Sequence, residues 1–507
     1  MCAYDHSHRR FNFRNIGHRA GSMPMLFALV PFIMGILLAE SYTIPLWLAV
    51  TSMATLALVA WRISHRRISI AYIFVALLLF GYTIAELRQE KVDIPYDKDI
   101  ELVVNIDNHP TMRYSRYSAE GEIERWRDGN TWHDCDYRVQ LYTACDTIGI
   151  GDRVYLNTRL KEQISRNKSY NDLLHHRGVA GRIDIDGYDI SRIEHDDSYS
   201  LHAHAIERLS YYAQDSSAYA TVEAMVAGSR RLQSEELREA YSRTGLSHLM
   251  AVSGLHLGIV LIIINILLIP LLLIHRGHLL RNILAIVAIW VYVAACGASP
   301  SVVRAAMMVS IVYLTYYSSQ RYNTVNILSV AILLMLIYNP DSIYDISFQL
   351  SITAVMGIAL WAIPLMGRLR SESLITRYLI ASVIIGVAAS IWTLPIISHA
   401  FGRIALIGII ITPLLMFSAY IIIGSGMATL LLPQPLGLPF ARLAEWSADV
   451  QNSLVIRASH LEWACIDYRL SEDGVAIAYA IIIAITALTW SYESKKVVTL
   501  SKYDNYS

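Results

Sequence analysis

The chain has 507 residues, 54% of them hydrophobic and only 17% charged, with zero formal net charge and a mean hydropathy of +0.39. That apolar share is above a soluble domain's, so a water-soluble globular class is excluded, and bulk charge points to no partner. The apolar residues gather in runs of roughly 17–25, the length of a bilayer-spanning helix, and the chain reads as a polytopic α-helical membrane protein.

Residues 1–22 are polar and basic, with Arg9, Arg10, Arg14 and Arg19. No small-residue cleavage site follows them, so they are not read as a removable signal peptide. Residues 23–85 hold three predicted spans, Pro24–Ala39, Ile44–Trp61 and Ile68–Ala85. Lys and Arg stay cytoplasmic. The basic N-terminus and the Arg62–Arg67 loop both then lie inside, and the third span carries the chain outward.

Residues 86–200 are polar with strand-like runs at Glu101–Ile106, Tyr117–Trp126, Tyr137–Ala144, Asp152–Leu160 and Val179–Ile193. Arg127-Asp-Gly-Asn130 is a hairpin signal. A short helix is expected near Tyr170–His176. About five strands in roughly 100 residues suit a small extracytoplasmic β-barrel of the OB-like kind. Cys135 and Cys145 flank one strand; a disulfide and two separate thiols both stand as readings.

Residues 201–491 start with an amphipathic stretch (Ala203–Gln214), an apolar piece too short to span (Val222–Ala227) and a charged helical stretch (Ser234–Arg243). Spans are then predicted at Val252–Ile274, Leu279–Ala295, Val302–Tyr317, Thr324–Tyr338, Ile346–Met366, Tyr378–Ile397, Ile404–Leu432 and Val475–Trp490. With the first three this makes about eleven. The basic loops His275–Arg281 and Arg368–Arg377 lie inside, and Asn339–Asp345, without Lys or Arg, fits outside. Ile404–Leu432 is too long for one simple span. Ala441–His460 carries too many charges to span and reads as an amphipathic helix. Placing Lys495 and Lys496, in the polar 492–507 tail, inside then needs one more crossing than the apolar runs supply.

Three constellations carry polar groups into this apolar region. The first is Thr244–Val260, where His248, Ser253 and His256 sit among glycines. Ser253 and His256 share a helix face. They suit the lining of a hydrophilic path, a structural cap, or a Ser/His dyad; the dyad lacks an acid nearby in sequence. The second is Gly297-Ala-Ser-Pro-Ser301-Val-Val-Arg304. Arg304 in a first helical turn gains nothing from the helix dipole; an anion passing nearby explains it better than simple stabilisation, with snorkelling to headgroups as the competing reading. The third is Asp345-Ile-Ser-Phe-Gln-Leu-Ser351. Asp345 is an N-cap, which leaves Ser347, Gln349 and Ser351 to account for. In the polar domain, Arg113, Tyr114, Arg116, Tyr117, Arg125, Trp126, Arg127 and Trp132 interleave cations with rings, as single-stranded nucleic acid requires. An ordinary solvated barrel surface is the competing reading.

Together these elements resemble the ComEC family, the inner-membrane channels that import transforming DNA. The matches are Glu223-Ala-Met-Val-Ala-Gly-Ser-Arg230, Gly245-Leu-Ser-His-Leu-Met-Ala-Val-Ser-Gly-Leu-His-Leu-Gly258, Gly297–Ala305, Ser347-Phe-Gln-Leu-Ser351 and Ser169–Val179. The resemblance implies an OB-like domain outside the cytoplasm, a multi-helix channel domain, multi-pass inner-membrane location, and single-stranded DNA as passenger. It makes His248, Ser253, His256 and Arg304 channel-lining candidates, with Ser347, Gln349 and Ser351. It also implies a cytoplasmic helicase-like ATPase, an extracytoplasmic DNA receptor and a separate nuclease as partners. No cofactor or metal is expected, and no GxxxxGK[ST] loop occurs. No His-x-His-x-Asp-His cluster precedes Ser507, so the form expected is the one lacking the C-terminal metallo-β-lactamase-like domain. Gly408 stands where the family often has Asn. From the residues alone, a membrane-embedded hydrolase using Ser253 and His256, or a small-solute transporter, remain the other classes. The transporter would need an acidic residue deep in a span, and none is visible.

Overall fold

A computed structural model describes residues 24–62, 66–88, 94–106, 111–113, 116–129, 131–144, 148, 151–162, 179–185, 189–194, 201–213, 217–316, 324–367 and 373–503. A helix stands at each predicted apolar run. Among the described residues, eight helices are long and apolar enough to cross a membrane, while Leu46–Arg62, Pro300–Leu314 and Thr324–Tyr338 are shorter apolar helices. The chain is thus a multi-pass membrane protein, as expected.

The first three helices are α1 (Pro24–Ser41), α2 (Leu46–Arg62) and α3 (Arg66–Arg88). Lipid tails are as apolar as Leu, so these helices gain little from hydrophobicity alone; close backbone contact must hold them. A Cβ on Gly35 would strike the Leu78 carbonyl, and one on Gly81 would strike the Phe32 carbonyl. Two glycines, one from each helix, therefore set the α1–α3 crossing. Tyr82 Oη pins the α1–α2 turn by accepting the Ile44 N–H at 2.6 Å and donating to the Tyr42 carbonyl at 3.0 Å. One core joins Leu29, Phe32, Ile36 and Tyr82 to Leu328, Ile332 and Met335 of Thr324–Tyr338. The N-terminal helices are therefore packed onto the helices that follow the sheet.

The polar region forms one sheet of β1 (Asp99–Ile106), β2 (Thr111–Arg113), β3 (Arg116–Asp128), β4 (Thr131–Thr143), β5 (Arg153–Arg159), β6 (Val179–Ile185) and β7 (Ile190–Glu194). The order is β6-β4-β3-β1-β5-β7, with β2 beside β3. The β3–β4 hairpin turns where Arg127–Asn130 predicts it, with Asp128 opposite Thr131 and Gly129 at φ +59°. The five-strand closed barrel is corrected in two respects. The Val179–Ile193 run divides into β6, parallel to β4, and β7, antiparallel to β5. These strands take opposite edges, so the sheet is not closed. Only a single bridge, Lys161 with Arg182 in both directions at 2.9 Å, reaches from the end of β5 to β6. The sheet has its own core, with Leu102, Val104, Ile123, Val139, Leu141, Val154, Leu156 and Ile183 all almost fully buried. Arg159 forks onto Asp99 at 2.6 and 2.9 Å and holds that carboxyl below the usual range. The expected helix at Tyr170–His176 lies outside the described residues.

The remaining helices are α4 (Leu201–Ser210), α5 (Ser217–Val226), α6 (Glu235–Arg243), α7 (Gly254–Leu267), α8 (Gly277–Ala295), α9 (Pro300–Tyr316), α10 (Thr324–Tyr338), α11 (Ile346–Gly357), α12 (Leu374–Phe401), α13 (Ile407–Leu431), α14 (Leu438–Ser459) and α15 (Glu472–Tyr503). α11 continues through the π-helical turn Ile358–Ala362 to Met366. The overlong Ile404–Leu432 run resolves into the strand Arg403–Ala405 (β8) and α13.

α14 is the amphipathic helix read from the sequence; it packs one face into the bundle and leaves Leu443, Trp446, Val450 and Leu454 exposed. Ala441, Ala444, Ala448, Gln451, Asn452 and Val455 form its buried stripe at helical spacing. It runs antiparallel to α13, and its far end returns to that helix's start. There Cys465–Asp467 (β9) pairs with β8, and the Leu406 N–H donates to the Ala464 carbonyl at 3.0 Å. The α13–α14 hairpin therefore adds no net crossing. α15 starts on the side where α12 ends, and Lys495 and Lys496 follow one crossing later, on the side of the Arg368–Arg377 loop. This supplies the crossing that hydropathy alone misses.

Gly35→Val or Gly81→Val should each destabilise the α1–α3 crossing by about 1–3 kcal/mol or more, the usual range for overpacking. Gly424→Ala, at a position with nothing within 4 Å of a Cβ, should be near neutral. Thermal inactivation of the detergent-solubilised protein separates the two classes; equal loss in all three would refute the glycine-set crossing.

Candidate channel site

The Thr244–Val260 segment folds as a tight entry to α7. Thr244 caps α6, and Gly245 at φ +72° breaks it, since only glycine takes that backbone cheaply. A single 3₁₀ turn, Ser247–Leu249, follows, and Ser253 caps α7 with extended backbone. His256 Nδ1 accepts the Ser253 N–H at 3.3 Å and lies 2.8 Å from Ser253 Oγ. This is the reciprocal geometry of a capping box. It leaves the ring proton on Nε2. That atom is fully buried, lacks a hydrogen-bond partner and has the Leu249 carbonyl as its neighbour. A hydrolytic dyad needs a carboxylate on the histidine's second nitrogen, and none bonds here. His248 donates from Nδ1 to the Gly245 carbonyl at 3.1 Å and is exposed.

The first turn of α9 joins the other two constellations to this one. Ser301 Oγ donates to the Val252 carbonyl at 3.1 Å. One turn on, Arg304 Nη2 donates to the Ser347 carbonyl at 2.9 Å, and its guanidinium lies 5.8 Å from the centre of the Phe348 ring. Arg304 is only 4% exposed, and its buried Nε has no partner. Asp345, the carboxylate facing it, caps α11 by accepting the Ser347 N–H at 2.7 Å. Gln349 donates its side-chain N–H to the Ile343 carbonyl at 2.9 Å, and Ser351 is half-buried. Segments some fifty residues apart thus meet at one polar junction. Gly408 lies against the Thr244 carbonyl with no room for a Cβ, so the Asn common there in the family has no space in this chain.

Two buried polar clusters nearby are not evident from the sequence. Glu223, on the short apolar α5, is wholly buried. It accepts from Ser229 Oγ at 2.6 Å and from Arg231 Nε at 3.1 Å; α5 thus holds the interior carboxylate not visible in any predicted span. Tyr219, one turn earlier, faces the same carboxylate and has its phenol pKa pushed up, first by burial and then by that charge. In the second cluster, Asn452 Oδ1 accepts from Tyr241 at 2.9 Å and Thr221 at 3.0 Å, and its amide donates to the Ser217 carbonyl at 3.1 Å. Gln451 bridges Tyr241 at 3.0 Å and Ser418 at 2.9 Å. The only sequence signals were polar residues on the small-residue stripe of α14 and on apolar helices.

On the sheet, Trp126 is 8% exposed and stacks on His133 at 4.7 Å, so it belongs to the core and offers no free ring face. Arg125 and Arg127 point to the opposite face. Arg125 pairs with Asp134 at 3.0 Å and Arg127 with Glu101 at 2.7 Å. Trp132, opposite Arg127, is 45% exposed with the guanidinium 5.9 Å from its ring centre. Arg116 is exposed and Tyr117 half-buried. The Arg113 side chain, Tyr114 and Cys145 lie outside the described residues. Cys135 Sγ donates to the Ile123 carbonyl at 3.3 Å.

Comparison with known proteins gives a matching context for this junction. ComE operon protein 3 of Bacillus subtilis (strain 168) is 27% identical over 223 residues, 44% of this chain and 27% of the relative. An uncharacterized protein of Aquifex aeolicus (strain VF5) is 30% identical over 191 residues, 36% of this chain and 44% of the relative. The matched stretch is thus less than half the length of either relative. No solved structure matches. The sequence profile described as "Competence protein" matches residues 225–493, more than half of the chain, from within the Glu223–Arg230 element into α15. The chain belongs to the Competence protein family.

Proposed function

We propose that this protein is the inner-membrane channel that takes up single-stranded transforming DNA in natural competence. The observation that carries this is the α9 junction. A guanidinium is buried in an apolar bundle with one N–H unspent, where three polar segments converge. A buried cation of this kind is expensive unless it meets an anion or water. A strand of phosphates supplies the anion. Beside Arg304, the lining would be His248, Ser253, His256, Ser347, Gln349 and Ser351. The sheet domain would receive the strand outside the cytoplasm through Arg116, Tyr117, Arg125, Arg127 and Trp132. Arg125 and Arg127 would exchange their carboxylate partners for phosphates. The drive would come from a cytoplasmic helicase-like ATPase, since the chain has no phosphate-binding loop, and strand degradation from a separate nuclease. Ser253 and His256 act here as a cap and a lining, because no carboxylate bonds the histidine's second nitrogen as a catalytic pair needs.

Arg304→Ala should lower transformation at least about tenfold, equivalent to about 1.4 kcal/mol, with membrane abundance unchanged. Transformation at the wild-type level in that variant would remove Arg304 from the path. The sheet domain has a self-contained core, so residues 86–200 can be tested alone. They should bind oligodeoxythymidine at about 50 mM salt and release it as salt rises. Absence of binding at low salt would reject the receiving role.

A further inference from the structure

The Gly228–Gln233 loop between α5 and α6 holds two consecutive arginines in opposite electrostatic settings. Ser229 and Arg231 turn inward to the buried Glu223. Arg230, between them, turns to the α7 entry. Its Nε donates to the Met250 carbonyl at 3.1 Å. Gln233 pins the same residue, with its side-chain N–H 3.3 Å from Met250 Sδ. On α6, Arg238 Nη2 donates to the Arg230 carbonyl at 3.0 Å. Both guanidinium groups are therefore held by backbone carbonyls, Arg230 by that of Met250 beside His248 and Arg238 by that of Arg230 itself.

Among the described residues, neither Arg230 nor Arg238 forms an ion pair. The acidic residues of α6 do not neutralise them: Glu235 and Glu236 occupy its first turn, and Glu239 pairs with Arg403 at 2.7 Å. Arg230 has exposed surface, yet its pKa is lowered first by burial and then by the Arg238 charge. Arginine stays charged there. Two like charges fixed close together, partly desolvated and without a carboxylate, are stabilised by a shared anion.

We propose that Arg230 and Arg238 form a phosphate-binding pair that grips the phosphodiester backbone of single-stranded DNA at the Ser247–Met250 turn. This rests on the transport reading above and gives it a contact that needs no base recognition.

The test uses the full chain in lipid nanodiscs and a fluorescent oligodeoxythymidine, with affinity measured across a salt series. Each neutralised phosphate contact steepens the plot of log affinity against log salt by about 0.7 for single strands. Arg230→Gln and Arg238→Gln should each flatten it by that amount, and Arg230→Lys should keep the wild-type slope. Arg442→Gln, removing a cation paired with Glu445 at 3.2 Å, should leave it unchanged. If Arg230→Gln fails to accumulate in the membrane, Arg238→Gln decides the matter. Wild-type slopes in the Gln variants that accumulate, with the strand still bound, would overturn the phosphate pair and leave the transport reading standing. No binding by the wild-type chain at about 50 mM salt would overturn the transport reading and the pair with it.

Discussion

A polar group buried in an apolar bundle must find its partner inside that bundle, because neither lipid nor water is there to supply one. The helical domain is arranged around this constraint. Asn452 and Gln451 have no business on a lipid face, and the structure turns them inward. Their partners come from three other helices: Thr221 on α5, Tyr241 on α6 and Ser418 on α13. Breaking one such bond leaves a buried group unsatisfied, at about 1–3 kcal/mol. α14 can therefore leave only together with its partners. That is how a helix carrying Arg442, Asp449 and Arg457 stays docked along its whole length, and why α5, only ten residues long, is held in the interior.

The same constraint explains the α7 entry. A helix N-terminus has backbone N–H groups with no partner in the helix. Here the Ser253–His256 pair answers part of that need with one imidazole nitrogen. What is left over is chemically informative: a buried N–H on His256 and a buried Nε on Arg304. Both are donors, and donors unspent in an apolar interior favour an acceptor-rich or anionic visitor. The glycines do the complementary work. Gly228 lets the loop after α5 approach the Cys296 carbonyl, at 2.9 Å from where a Cβ would stand, and Gly408 does the same against Thr244. Backbone can then pass backbone where side chains would block it.

Much of the architecture is legible from hydropathy and turn chemistry. The apolar runs, the Asp128–Gly129 hairpin and the Asp345 cap depend on local residues, and they stand where those residues place them. What is not legible depends on partners distant in sequence. Val179–Ile193 looks like one strand, because nothing local says that its halves pair on opposite edges of the sheet. Trp126 alternates with Arg125 and Arg127, so its inward direction is readable from the strand period. Glu223 looks like one acidic residue in a short apolar piece. Its burial depends on Arg231 folding back over it, which no periodicity reports. Arg304 was singled out as a cation lacking a reason. That its one backbone acceptor comes from the Ser347 segment could be learned only from the fold.

Consecutive arginines make the point sharpest. Arg230 and Arg231 are chemically identical neighbours, and composition assigns them one role. The loop turns at Arg230, whose carbonyl accepts the Gln233 N–H at 3.2 Å, and the two side chains part. One finds a buried carboxylate and becomes structure. The other finds only backbone carbonyl and a second guanidinium, and keeps its charge unspent beside the segment that holds His248. A cation neutralised at 3.1 Å by a wholly buried glutamate cannot move to meet a polyanion without leaving that glutamate unpaired, which is among the costlier things a folded protein can do. The unneutralised one gives up nothing of the kind. The division of labour within Ser229-Arg-Arg231 is therefore set by Glu223, a residue six positions upstream that touches no strand itself.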